Sequence, residues 1–183
     1  MNREESAALQ RAIDALSIED VCVRSLHASI ENGFEPAYDA DLDSLEIALK
    51  HVVKRFELFE LESAEQAGTQ RYRVFVEFGI RWSRRVREVP DAAAATDATA
   101  IDEVPEDDPN VVAVIEAEMM AEYAMGTNPG HEALDVFARH NASFHVWPYW
   151  RELVSSQCLR MSLPKVVLPA RQFASNSAEP APR

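Results

Sequence analysis

Glycine and cysteine are scarce in this chain of 183 residues, which contains five glycines and two cysteines. Loops that bind phosphate through backbone amides need closely spaced glycines, so the composition argues against such a loop. Cys22 and Cys158 each lie in an apolar pattern and form no close pair. We interpret them as reduced core thiols, which predicts a cytoplasmic protein.

Basic residues are also few: the 18 lysines and arginines are outnumbered by 31 acids, and the formal net charge is -13. Binding to nucleic acid or to an anionic membrane depends on cationic side chains, so neither is an expected partner, whereas a basic polypeptide is a better one. Apolar runs of about 18 residues are missing, and the N-terminal residues include no apolar leader segment. The sequence therefore predicts neither a membrane span nor secretion.

Motifs for catalysis are missing as well. The sequence has no Gly-x-Ser-x-Gly, His-Glu-x-x-His or Cys-x-x-Cys motif. His140, His145 and Cys158 could ligate zinc, but their spacing matches no zinc pattern. Arg151 and Glu152 could form a catalytic pair, yet adjacent residues on a helix point to different sides. We expect no catalytic residue, no metal and no cofactor.

The hydrophobic periodicity that is present predicts an α+β fold with an initial helix over 3–16 and four strands. The predicted strands cover 18–30, 45–61, 71–82 and 111–125, and a long crossing loop joins the first two. The last strand has the Ala, Glu and Met content of a helix, but its unbroken alternation favours a strand. The apolar set of 45–61 changes face along the strand, which predicts a bulge or burial on both faces.

Alternation is clearest in the third strand, where all the even positions from Tyr72 to Trp82 are apolar and Phe75 is the one large apolar residue at an odd position. One face of this strand is predicted to be core and the other mostly polar. Between the third and fourth strands, residues 89–110 carry seven acids, three prolines and no base. This composition predicts a mobile, solvated loop, although an acidic recognition surface is the alternative.

Two helices are predicted in the C-terminal third, a short one over 131–141 and a longer one that begins at Pro148 and ends before Pro164. An apolar stripe follows the 3.6-residue repeat of the longer helix: Trp150, Leu153, Val154, Cys158 and Met161. The segment 163–173 contains two prolines, so it can lie extended on a surface but not inside a sheet. We expect one domain over 1–173 and a disordered tail over 174–183.

Large apolar residues also occur where solvent should reach, in the crossing loop and at the start of the last helix. Core packing is the simpler explanation for each one alone. As a set they would line a groove for an extended apolar peptide, which requires no catalytic residue. The predicted binding residues are Phe34, Tyr38, Leu42, Leu45, Phe144, Trp147, Tyr149, Trp150 and Leu153.

The pentapeptide Pro-Tyr-Trp-Arg-Glu at 148–152 resembles the SecB family of export chaperones, whose final helix opens with Pro-Tyr-x-Arg-Glu. The spacing of Arg160, Leu163-Pro164 and Leu168 is also similar to that family. The resemblance implies a four-stranded antiparallel sheet with helices on one face, assembled through sheet edges and helices into a homotetramer. It also implies ATP-independent holding of unfolded chains.

Two departures point to a specialised SecB-like relative. Met161-Ser162 stands where SecB proteins usually carry glycine, and the acidic segment 89–110 is longer than the family's hairpin connection. The leading hypothesis is a holdase for non-native clients such as preproteins. The alternative is a dedicated chaperone of an antitoxin from a toxin–antitoxin system. Contact with the translocation motor SecA is left open, and a small enzyme on an antiparallel sheet is a third hypothesis.

Overall fold

The computed structural model describes residues 2–61, 70–85 and 108–168. The acidic segment 89–110 lies outside these residues except for its last three, and the tail 174–183 lies wholly outside them. The elements are α1 (Arg3–Ala15), β1 (Leu16–Ile30), β2 (Glu46–Glu60), β3 (Gln70–Ser83), β4 (Val111–Met125), α2 (His131–Phe137) and α3 (Ser143–Arg160). A π-helical segment, Ala138–Ala142, joins α2 to α3, and two single 3-10 turns, Pro36–Tyr38 and Leu42–Ser44, lie in the crossing loop.

The four strands form one antiparallel sheet in the order β1-β4-β3-β2. This arrangement confirms the predicted α+β fold, including the assignment of Val111–Met125 as a strand. Because β1 and β2 are the two edge strands, the loop that joins them, 31–45, must cross the whole end of the sheet. The loop starts just after Ile30 and ends just before β2, next to Ile47. These two residues are the outer members of one row across the sheet, Ile30–Ala113–Trp82–Ile47.

The helices lie on one face of this sheet, and the core lies between them. The even positions of β3 from Tyr72 to Trp82 are all 0% exposed, as the alternation predicts. The register of β2 shifts between Val53 and Arg55, which leaves Lys54 as an extra residue. That irregularity is the predicted bulge, and it explains why the apolar residues of β2 change from odd to even positions.

The opposite face of the sheet is covered by ion pairs. Lys50 and Lys54 both bind Glu77, at 2.5 and 2.7 Å. Burial raises the pKa of Glu77, but the hydrogen bonds from the two lysines outweigh it and hold that pKa below its usual value. Three further pairs lie on the same face: Arg55–Glu118, Arg73–Glu122 and Arg81–Glu116. Acids and bases therefore neutralise each other on this face.

The first helix begins with a reciprocal cap. The Asn2 side chain accepts a hydrogen bond from the Glu5 N–H, and the Glu5 carboxylate accepts one from the Asn2 N–H, each at 2.8 Å. This capping box satisfies two backbone donors that a helix start otherwise leaves unpaired. Ala8 and Ala12 are buried, and α1 packs against α2.

Helical structure runs without a break from His131 to Arg160, so the predicted start of the last helix at Pro148 is wrong. Pro148 lies more than a turn inside α3, where a proline removes one backbone hydrogen bond. The turn before it stays helical because Val146 and Trp147 are buried. The π-helical segment just upstream adds a second irregularity. Tertiary packing thus outweighs the local preference of proline for a helix start.

At its C-terminus α3 ends in a Schellman motif. The Leu163 N–H donates to the carbonyl of Cys158 at 2.9 Å, and Ser162 takes a positive φ of 55°. Trp150, Val154 and Cys158 are buried on the sheet side, which confirms the predicted stripe. Beyond the cap, residues 163–168 form neither helix nor strand, as expected.

Ser162→Gly should stabilise the fold by about 1 kcal/mol, because a side chain in the left-handed conformation is strained and glycine is not. Thermal unfolding followed by circular dichroism measures the change. Ser155→Gly, at an exposed position inside α3, is the matched control and should destabilise the fold by about 0.5 kcal/mol, because glycine is a poorer helix former than serine. An unchanged or lower stability of Ser162→Gly would contradict this account of the helix end.

Candidate functional site

The first half of α3 is fixed to the sheet by an aromatic stack on Phe78 of β3. The Trp150 and Phe78 rings stack with centroids 5.4 Å apart and an interplanar angle of 13°. His51 stacks on the same ring at 5.1 Å and Trp147 contacts it at 5.7 Å. His51 Nε2 also lies 2.7 Å from the Ser143 hydroxyl, which ties the start of α3 to β2. Trp147 and Trp150 are 7% and 1% exposed and belong to the core.

A second buried cluster holds α2 and the start of α3 at the other end of the sheet. The Tyr72 hydroxyl donates to the carbonyl of Leu134 at 2.7 Å, and the Tyr123 hydroxyl lies 2.9 Å from His145 Nδ1. Phe137 meets the Tyr123 ring edge-on at 5.1 Å. Burial raises the pKa of both tyrosines and lowers the pKa of His145. Burial therefore favours the neutral form of His145.

The crossing loop is fastened to the strand ends that flank the Trp82 row. The Glu31 N–H donates to the carbonyl of Val112 at 2.9 Å, beside Ala113. Arg84 donates to the Asp39 carboxylate at 2.5 Å, and its guanidinium lies 5.4 Å from the centre of the Phe34 ring. The hydrogen bond from Arg84 lowers the pKa of Asp39. Arg84 thus joins the loop to the end of β3 through one charged and one aromatic contact.

The predicted binding residues divide into three groups by exposure. Phe34, Trp147 and Trp150 are buried, and Leu42, Leu45 and Leu153 are partly buried against the core. Tyr38, Phe144 and Tyr149 are 88%, 55% and 51% exposed. The exposed group is the most accessible to a ligand, the partly buried group keeps some accessible surface, and the buried group could contact a ligand only after rearrangement. The role of all nine in binding stays a prediction.

Loop and helix contribute to neighbouring parts of the same sheet face. The loop crosses the row of Trp82, and the helix start packs on Phe78, four positions away along β3. At about 3.3 Å per residue, these two rows are about 13 Å apart, with Ile80 between them. An extended segment of about four residues could span both. The loop ends and the helix start are therefore anchored to neighbouring rows of the helix-bearing face.

Ile47 is an additional candidate that the sequence reasoning missed. It pairs with Trp82, lies on the edge strand β2 and is 46% exposed. Its signal in the sequence is its alternation with Leu45 and Leu49. That signal identifies a strand face but does not show that the strand is at an edge.

The zinc hypothesis is not supported by the positions of the candidate ligands. His145 and Cys158 are on one helix, thirteen positions and about 20 Å apart along its axis, too far to share a metal. Among residues 2–61, 70–85 and 108–168, no group of three or more His, Cys, Asp and Glu side chains is placed to hold an ion. In the same part of the chain, no helix has the length and apolarity needed to cross a membrane.

The fold is that of the SecB-like chaperones. A solved structure that matches it is the SecB-like chaperone Rv1957 of Mycobacterium tuberculosis, in complex with a ChAD peptide from the Rv1956 HigA1 antitoxin. The TM-score is 0.59 and the sequences are 19% identical, over 91% of this chain and 97% of that chain. No model of a protein family matches the sequence, and no curated protein matches it either. The likeness confirms the fold that the sequence motif predicted.

Acidification should destabilise the fold through His145. Above the unfolded-state pKa of about 6.5, His145 is neutral in both states. Because its folded-state pKa is lowered, the unfolded chain binds a proton first as the pH falls below 6.5, and stability decreases. Denaturant unfolding at several pH values should show a steeper loss for the wild type than for His145→Gln. If the free energy of unfolding depends on pH equally in the two proteins, His145 is not responsible for the loss.

Arg84→Met should loosen the crossing loop without unfolding the protein. The ion pair with Asp39 is at the surface, so we expect a loss of stability below about 1 kcal/mol but faster hydrogen exchange at the Phe34 and Tyr38 amides. Arg139→Met is the control, since it removes a surface ion pair with Asp135 on α2. Equal exchange rates in the two variants would show that Arg84 does not hold the loop.

Proposed function

We propose that this protein is a holdase, an ATP-independent chaperone that binds unfolded or aggregation-prone polypeptides on the helix-bearing face of its sheet. The observation that carries the proposal is the exposure of aromatic side chains on both halves of that face, Tyr38 on the crossing loop and Phe144 and Tyr149 on α3. The SecB-like fold, with a solved neighbour in complex with a peptide, supports it.

The chemistry of this face suits weak binding of many apolar segments. Burial of apolar surface contributes about 25 cal/mol per Å2 before the cost of ordering the client. Aromatic side chains supply large contact areas with few rotatable bonds. On the opposite face acids and bases are paired, Phe75 and Met120 are buried, and the exposed apolar side chain Val52 is small and not aromatic. Binding of this kind requires no catalytic residue, and we propose that the protein is not an enzyme.

A dedicated role for one antitoxin is the second candidate. It is favoured by the structural neighbour Rv1957, a SecB-like chaperone in complex with a peptide from an antitoxin. A general export chaperone would protect several unrelated unfolded proteins, whereas a dedicated one would protect only its partner. Purification of the tagged protein from its own cells, followed by identification of what comes with it, separates the two. Recovery of SecA would support the export role.

We further propose a cytoplasmic homotetramer, assembled through sheet edges and helices. Support for subunit contacts comes from β1, whose apolar residues Ile18, Val23 and Leu26 are 43–45% exposed at an open edge. A second subunit could cover them. Analytical ultracentrifugation gives the mass in solution, and a monomer at micromolar concentration would exclude the tetramer.

Serine in place of Tyr38, Phe144 and Tyr149 together should weaken client holding several-fold and leave thermal stability nearly unchanged, because these side chains are exposed. The measurement is light scattering by a thermally unfolded test protein, with and without the chaperone. Leu159→Ser, at a position on α3 that is 83% exposed, is the control for simple loss of surface apolarity. If the wild type leaves aggregation unchanged at several-fold molar excess, the proposed function is wrong.

A further inference from the structure

One buried donor on the candidate site has no partner. Among the described residues, the indole Nε1 of Trp82 is the one buried side-chain nitrogen or oxygen atom without a hydrogen-bond partner. The whole residue is 0% exposed. Leaving such a donor buried without a partner is unfavourable, whereas phenylalanine would fill an apolar position without that penalty. The unpaired donor therefore calls for an explanation.

Other buried ring groups on this face do have partners. The hydroxyl of Tyr72 donates to a backbone carbonyl, and the hydroxyl of Tyr123 pairs with His145. The fold is thus able to satisfy polar atoms inside its core. The unpaired donor lies in the row whose two outer residues, Ile30 and Ile47, flank the ends of the crossing loop.

The surroundings of Trp82 allow that row to be opened. Ala113, its neighbour on β4, is small, and Ile47, its neighbour on β2, is 46% exposed at the open sheet edge. The crossing loop is held to the strand ends by the ion pair between Arg84 and Asp39 and by the hydrogen bond from the Glu31 N–H to the Val112 carbonyl. The ion pair contributes little free energy, but lifting the loop also withdraws Phe34 from the core, and the apolar surface buried by the client must offset that cost.

We infer that the indole N–H of Trp82 donates a hydrogen bond to a main-chain carbonyl of the bound client when the crossing loop lifts. An indole N–H can only donate, so its missing partner must be an acceptor. Every extended polypeptide offers main-chain carbonyls whatever its side chains, which suits a protein that holds unfolded chains. This inference rests on the proposed function and names a residue that fixes the client backbone.

The variant Trp82→Phe tests it, since it keeps an aromatic ring and removes the donor. The probe is a short unstructured peptide of leucine, phenylalanine and serine with a fluorescent label, and anisotropy gives the affinity. Loss of one hydrogen bond predicts binding about fivefold weaker. Val74→Ala is the control, because it opens a cavity on the same face of β3, away from the loop. It should lower stability and leave affinity unchanged.

A spectroscopic measurement separates a hydrogen bond from a packing effect. The chain has three tryptophans, so a nitrogen–proton spectrum of the wild type shows three indole signals. The one that Trp82→Phe removes belongs to Trp82. It should move downfield when the peptide is added, as expected of a proton that gains an acceptor.

The outcomes are distinct. If wild-type protein binds the peptide but Trp82→Phe binds equally well, or the Trp82 signal stays in place at saturation, the inference is wrong and the proposed function stands. An equal loss of affinity in Val74→Ala would also overturn it, since packing alone would then explain the effect. If the wild type binds no peptide, both proposals fail.

Discussion

The stacking of aromatic rings on Phe78 is the interaction on which the rest of this structure depends. It places Trp147, Trp150 and His51 around one side chain in the middle of β3. Because α3 is thereby fixed in rotation, Val154 and Cys158 face the core. The same constraint turns Phe144 and Tyr149 towards solvent. One packing contact thus decides which aromatic residues of α3 stabilise the fold and which are exposed.

Much of the fold could be predicted because its signals are local. Strict alternation along β3 and β4 defines a buried and a less buried face without reference to any other part of the chain. The Pro-Tyr-Trp-Arg-Glu motif then suggested the architecture. The change of face within β2 likewise predicted the bulge at Lys54, since an extra residue must shift the alternation.

The boundary of α3 and the exposure of the site residues could not be predicted in the same way. Proline favours a helix start locally, but the burial of Val146 and Trp147 extends α3 upstream of Pro148. Because α3 starts upstream of Pro148, Trp147 is a core residue and not a residue at the mouth of a groove. Phe34 is likewise buried through contacts with residues distant in sequence, since it belongs to the core and lies 5.4 Å from the guanidinium of Arg84. Contacts between distant segments leave no periodic signal.

The two faces of the sheet suggest a division of roles. Ion pairs line the face opposite the helices, while exposed aromatic side chains lie on the crossing loop and on α3. Photo-crosslinking tests this assignment most directly, with a benzophenone amino acid at Tyr38 or Phe144 and, for comparison, at Glu57 on the ion-paired face. If the helix-bearing face binds clients, an unfolded client should crosslink to the first two positions and only rarely to Glu57. Crosslinks chiefly from Glu57, or equally from all three, would contradict it.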